Sequence, residues 1–256
     1  PRTDWIDVWT VDMERRIETR FTFAEANEGT PVWSPDGRWI VYSGLQGDSS
    51  GLFVKPASGE AAERLLVPSS LFRLVNDWSS YGRYVLFMGP ERAGQSGDDL
   101  WYVSVADGRA QSEPVAFLKS DFDEDDARFS PDGRWIAHGS DESGVFQIYV
   151  RPFPGPGGRW QVSSEGGDYP VWRRDGKELF YLAPDLRLMA VEVDGSGTAF
   201  KVGQVRPLFR TAASSLVSPY DVSADGQRFL IITAPSGQEG ASIRVIMNWD
   251  AGMATQ

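Results

Sequence analysis

One short turn, recurring at a mean interval near 47 residues, constrains this chain more than anything else in its sequence. It reads Ser34-Pro-Asp-Gly37, Ser79-Ser-Tyr-Gly82, Ser130-Pro-Asp-Gly133, Arg173-Arg-Asp-Gly176 and Ser223-Ala-Asp-Gly226, with glycine spacings of 45, 51, 43 and 50 residues. Gly reaches positive φ without penalty and Asp bonds its own local backbone, so each copy is a tight reversal between two strands. Four residues before each Gly stands Trp33, Trp78, Phe129, Trp172 or Val222, and a β-rich run follows it, as in Arg38-Trp-Ile-Val-Tyr42 and Arg134-Trp-Ile-Ala-His138. Two further strand-like stretches close most modules, for example Gly51–Lys55 and Ala62–Val67 in the first, or Phe146–Val150 and Arg159–Val162 in the third. Four antiparallel strands every 40 to 50 residues is the footprint of a propeller blade. No sustained i, i+3, i+4, i+7 pattern competes with it.

The chain is therefore expected to be all-β, a β-propeller of four-stranded antiparallel blades in a single domain over residues 1–256. Successive blades fall at 26–70, 71–120, 121–164, 165–212 and 213–256. Residues 1–25 hold only two strands, Trp5–Val11 and Arg16–Phe21, the outer pair of a partial or closing blade. A six-bladed architecture with an incomplete first blade is favoured, and a five-bladed ring closed by the N-terminal strands is the alternative. Closure removes sheet edges that would otherwise recruit other chains.

Composition excludes several classes. Hydrophobic residues make up 41% and aromatics 12%, enough for a sizeable core, so wholesale disorder is out. Zero cysteines exclude disulfides, thiolate nucleophiles and cysteine-ligated zinc. With 25 basic against 36 acidic residues the net charge is −11, which disfavours nucleic acid as a partner. No apolar run approaches the roughly 20 residues of a spanning helix, and no signal-peptide pattern is present. Opening on Pro1, the sequence reads as an excised part of a longer polypeptide.

The aromatic-preceded Ser-Pro-Asp-Gly-Arg-Trp-Ile motif resembles the TolB-type, WD-like propeller repeat. Ser140–Gly144, Tyr149–Gly158, Trp160–Val162 and Pro170–Leu182 are similar to the C-terminal propellers of bacterial membrane-bound serine/threonine kinases, as is the ending Tyr220–Leu230 with Asn248-Trp249. That resemblance implies an extracytoplasmic, periplasmic or cell-surface sensor or interaction module, or a stand-alone TolB-like protein. It carries over no catalytic residues, because the shared motif is structural. Kinase glycine loops, the His-Arg-Asp and Asp-Phe-Gly motifs and a Walker sequence are absent from the sequence. Tyr81 stands where the turn wants Asp, and Val222 where it wants an aromatic.

Candidate chemistry is sparse. His138, the only histidine, aligns with Tyr42, Phe87, Tyr181 and Ile231 in a buried strand column, which reads as a core position. Five acids within Asp121–Asp126 place Asp121, Asp123 and Asp125 at alternating positions, as at the start of a calcium loop. The loop's usual Gly and bidentate Glu are missing, so a solvated acidic loop is the competing reading. Gly155–Gly158 reads as a hairpin connection and the repeated tryptophans as blade packing. Innermost strands of a propeller border its channel. Their leading ends carry Glu28, Asn76, Asp77, Asp123, Glu124, Arg128, Asp168, Tyr220 and Asp221, with Asp125 and Asp126 beside them. These residues either ring a ligand or form ion pairs over water. A protein, peptide or small cationic ligand suits their net acidity. The expected function is thus non-catalytic recognition; a hydrolase or lyase using paired carboxylates, and an architectural spacer, are the alternatives.

Overall fold

The computed structural model describes residues 5–12, 14–46, 49–155, 157–213, 219–233 and 242–247, in two compact units, residues 1–121 and 122–256. Asn248 and Trp249 lie outside the described residues. All regular structure among those residues is β, and none of it is a helix long and apolar enough to cross a membrane.

The first unit opens with β1 (Trp9–Asp12) and β2 (Ile17–Arg20), which pair only with each other. β3 (Glu28–Trp33), β4 (Trp39–Gln46), β5 (Ser49–Pro56) and β6 (Arg64–Ser69) form a four-stranded meander in chain order. β7 (Leu74–Trp78), β8 (Tyr84–Gly89) and β9 (Asp99–Ala106) form the next, its outer edge shared by β10 (Arg109–Ala110) and β11 (Val115–Leu118). The second unit holds β12 (Glu124–Phe129), β13 (Trp135–Ser140), β14 (Gln147–Pro152) and β15 (Trp160–Gln161). β16 (Asp168–Trp172), β17 (Glu178–Leu182), β18 (Arg187–Asp194) and β19 (Lys201–Arg210) follow. A three-stranded sheet of β20 (Tyr220–Val222), β21 (Arg228–Thr233) and β22 (Ser242–Met247) ends the chain. Every pairing among the described strands is antiparallel.

The repeated turn makes the first hairpin of each sheet. The amide of Gly37, Gly82, Gly133, Gly176 or Gly226 donates to the carbonyl three residues earlier at 2.7–2.9 Å, and all five glycines have φ between 68° and 77°. In three copies the Ser hydroxyl donates to the Asp carboxylate at 2.5–2.6 Å: Ser34 to Asp36, Ser130 to Asp132 and Ser223 to Asp225. Tyr81 leaves the second hairpin intact, because there the Ser79 hydroxyl takes the amides of Arg83 and Tyr84.

Second strands are apolar on both faces because each lies between two layers. Ile40 and Tyr42 pack with Val8, Phe21 and Phe53, whereas Val41 packs with Val75, Trp78, Val85 and Phe87 of the following sheet. In the second unit Leu179 and Tyr181 face Trp135, Ile148 and Val191, while Phe180 and Leu182 face Phe229 and Ile231. One expected packing residue departs from the pattern. Trp33 is 52% exposed where Trp78 is 6% exposed. Trp78 lies beside the Ser34–Asp36 turn of the preceding sheet.

Candidate functional site

Every first strand except β20 carries a register shift: between Gly29 and Val32, Val75 and Asp77, Asp125 and Arg128, and Asp168 and Val171. In β3, β12 and β16 the residue seven before the turn glycine has positive φ: Thr30 at 47°, Asp126 at 48° and Tyr169 at 58°. Such bulges re-aim side chains, and a non-glycine residue in this region costs on the order of 1 kcal/mol. The preceding Asp supports the kink: the amides of Asp126 and Tyr169 donate to Asp125 Oδ1 (2.6 Å) and Asp168 Oδ1 (2.9 Å). Asp77 and Asp221 likewise accept the amides of Trp78 and Val222, both at 2.8 Å, where the backbone has no positive-φ kink.

In the second unit these kinks bring together side chains from three strands. The carboxyls of Asp126 and Asp168 are hydrogen-bonded to each other, with Asp125 and Arg128 close to Asp126, and Asp123 close to Asp168. Tyr169 and Tyr220 complete the cluster, the Tyr220 hydroxyl donating to the Tyr169 carbonyl at 2.8 Å. Gly139 of β13 leaves room for it, since a Cβ there would lie 2.9 Å from Asp168 Oδ1. Burial, reinforced by Asp125 and by Asp168, raises the Asp126 pKa well above the usual carboxylate range, and burial also pushes Asp168 up to about 6. Two adjacent carboxyls out of bulk water cannot both ionise cheaply, so they share a proton. Burial raises both tyrosines as well. Four carboxyl side chains, those of Asp123, Asp125, Asp126 and Asp168, stand in this cluster against the single guanidinium of Arg128.

The other expected site residues divide. Asp77 and Arg128 are half-buried, and Asp221 is exposed. Glu28, Asn76 and Glu124 are buried, at 1%, 5% and 1% exposure, so they do not present an open rim. Strand alternation explains this: Glu124 faces away from its neighbour Asp125 and meets His138 Nδ1 at 3.1 Å. His138 sits in the core column as expected, 1% exposed, beside the buried Glu124 carboxyl; its Nδ1 also approaches the Gly139 carbonyl at 3.1 Å. The calcium expectation meets a different geometry. Asp121 is exposed at the end of the first unit, the Asp123 amide is bound to Asp141, and Asp125 is turned onto its own strand. Among the described residues no group of three or more His, Cys, Asp or Glu side chains is placed to hold a metal ion. Tyr169 is the residue that sequence reasoning missed. Its signal was its alignment with Thr30 and Asp126, legible only once the bulge is known.

Comparison with known proteins supports the fold. The chain aligns with TolB from Acinetobacter baumannii at 18% identity and a TM-score of 0.69, over 94% of this chain and 56% of that one. It aligns with an oligogalacturonate lyase in complex with manganese at 14% identity and a TM-score of 0.65, over 95% and 72%. A curated relative, an uncharacterized protein of Agrobacterium fabrum, is 30% identical over 64 residues, 25% of this chain and 22% of that protein. The chain thus spans little more than half of the TolB chain and under a quarter of the curated relative. No family model matches. The fold is that of a TolB-like β-propeller built of antiparallel blades.

Proposed function

We propose that this chain is a non-catalytic recognition propeller that binds a basic peptide segment or small cationic ligand at the Asp125–Asp126–Arg128–Asp168–Tyr169–Tyr220 cluster. The observation that carries this reading is the hydrogen-bonded carboxyl pair of Asp126 and Asp168, set side by side by the bulges in β12 and β16. A ligand cation placed there replaces the proton, satisfying both carboxyls, while the partly exposed Tyr169 ring supplies apolar surface for its stem. Binding of that kind releases a proton and strengthens as pH rises through about 6, the value to which Asp168 is raised. Resemblance to TolB and to kinase-associated propellers supports an extracytoplasmic sensor or interaction role, in a membrane-bound serine/threonine kinase or a stand-alone protein.

Titration calorimetry with hexalysine and with spermidine tests this on the full chain. The expected result is binding at pH 7.5 that weakens at pH 5 and falls at least tenfold, about 1.4 kcal/mol, in the Asp126→Asn/Asp168→Asn variant. Absence of heat with both probes, or indifference to the double substitution, overturns the reading.

A second reading is favoured by the same pair: a carboxyl raised to about 6 beside another is suited to general acid–base work. Turnover in a screen of oligosaccharide and ester substrates that Asp168→Asn abolishes would support a lyase or hydrolase instead.

A further inference from the structure

The Ser-Pro-Asp-Gly-Arg-Trp hairpin occurs complete only twice, at Ser34–Trp39 and Ser130–Trp135, and each copy borders a cavity. The first, of about 380 Å³, lies within the first unit between that hairpin and the Trp78–Gly82 turn. The second, of about 430 Å³, lies within the second unit between its hairpin and the Trp172–Lys177 turn. We propose that these two equivalent pockets each bind a saccharide ring, and that neither is part of the carboxyl cluster.

The walls are alike in residue type. Each is lined by a prolyl ring (Pro35 or Pro131), the motif tryptophan (Trp39 or Trp135) and the next blade's tryptophan (Trp78 or Trp172); Trp39 and Trp172 are the partly exposed ones, while Trp78 and Trp135 are buried. Tyr81 extends them in the first and Phe200 in the second. Both volumes fall in the range of small-molecule sites, which is on the order of 300–1,000 Å³.

The rims are polar but electrically answered. Arg38 pairs with Asp36 at 2.7 Å and with Asp107 at 3.2 Å across the first pocket. Around the second, Asp132 pairs with Arg134 at 3.9 Å, Asp175 with Arg173 at 2.8 Å and Asp194 with Lys201 at 3.0 Å. In the first pocket a bound ion would have to break one of these pairs; the second also has the cationic side chains of Arg174 and Lys177 on its wall. A purely apolar ligand would strip water from the rim and give nothing back. A pyranose ring answers both conditions: its C–H face lies on indole and prolyl surface, and its hydroxyls donate to the carboxylates' remaining lone pairs while accepting from the guanidinium groups. In the first pocket the buried Trp39 indole N–H has no acceptor among the described residues, whereas its counterpart Trp135 donates to the Gly195 carbonyl at 3.0 Å.

The pockets are also held open by fixed walls. Arg134 donates to the carbonyls of Gly195, Ser196 and Gly197 at 3.0, 3.1 and 2.5 Å, pinning the hairpin between β18 and β19. In the first unit Arg64 reaches the carbonyls of Asp107 and Gly108 at 3.4 and 3.2 Å and lies 4.8 Å over the Trp39 ring. Little ordering remains for a ligand to impose.

Saturation-transfer NMR on the full chain, with cellobiose, maltotriose and N,N′-diacetylchitobiose as probes, tests the proposal. At least one probe is expected to receive saturation at its ring protons and to shift tryptophan fluorescence. Tyr81→Ala and Arg174→Ala, both at exposed positions, are each expected to remove one of two sites. Together they are expected to weaken binding at least tenfold with an unchanged melting temperature. No transfer to any of the three probes, or transfer that survives the double substitution, overturns the proposal. Transfer abolished by Asp126→Asn/Asp168→Asn overturns it too, since that would place the sugar at the carboxyl cluster.

Discussion

Replacing Asp168 by Asn should stabilise this protein at neutral pH and leave it unchanged in acid. In the native chain burial raises Asp168 from its ordinary 3.8 to about 6. An acid raised in the folded state keeps its proton where the unfolded chain has already released it. Between about pH 4 and pH 6 the folded state therefore binds more protons, stability falls as pH rises, and the loss is complete above about 6. At 1.36 kcal/mol per pH unit the displacement corresponds to about 3 kcal/mol. Asp168 is only half-buried, so solvent screening reduces this to about 1–1.5 kcal/mol. Asn removes the charge, keeps an oxygen for the Tyr169 amide and offers an N–H to Asp126. The expected gain is about 2–6 °C in Tm at pH 7.5, shrinking to nothing near pH 4. Carboxylates held low act in another window: Asp36, lowered to about 2 by Ser34 and Arg38, loses its contribution only as pH falls below about 4. Scanning fluorimetry of wild type, Asp168→Asn and the exposed control Asp221→Asn at both pH values is sufficient. An Asp168→Asn protein that melts at or below wild type at pH 7.5, or gains equally at pH 4, refutes the shared-proton account.

Glu124→Ala should cost about 1–3 kcal/mol in urea unfolding, because it removes the buried polar side chain 3.1 Å from His138 Nδ1, and Glu124→Gln should cost markedly less. Gly139→Ala, whose Cβ would meet Asp168 Oδ1 at 2.9 Å, should destabilise by about 1 kcal/mol; combined with Asp168→Asn the two effects should be non-additive in a double-mutant cycle. Arg134→Ala should change Tm little, yet expose the 195–197 hairpin to limited proteolysis, since three carbonyls lose their donor.

Sequence alone settled the architecture, and the reason is local. An Asp-Gly turn is written in the conformational limits of its own residues, so five copies at blade spacing announce five hairpins without reference to anything distant. The apolar runs after each glycine, such as Trp39–Tyr42 and Leu179–Leu182, further declare strands buried on both faces. The same reading placed His138 in the core. It could not say which acidic residues meet. Asp125 and Glu124 are neighbours in the chain, yet pleating sends one to the cluster and the other to His138. The left-handed kinks at Asp126 and Tyr169 leave no shared residue type, because a bulge is imposed by the register between strands rather than by the residue that bears it. Trp33 and Trp78 hold the same place in the repeat, yet one is exposed and the other buried. Proximity between residues more than 40 apart, as for Asp126 and Asp168, depends on how one sheet packs upon the next, and packing of that kind has no local signature for a sequence to carry.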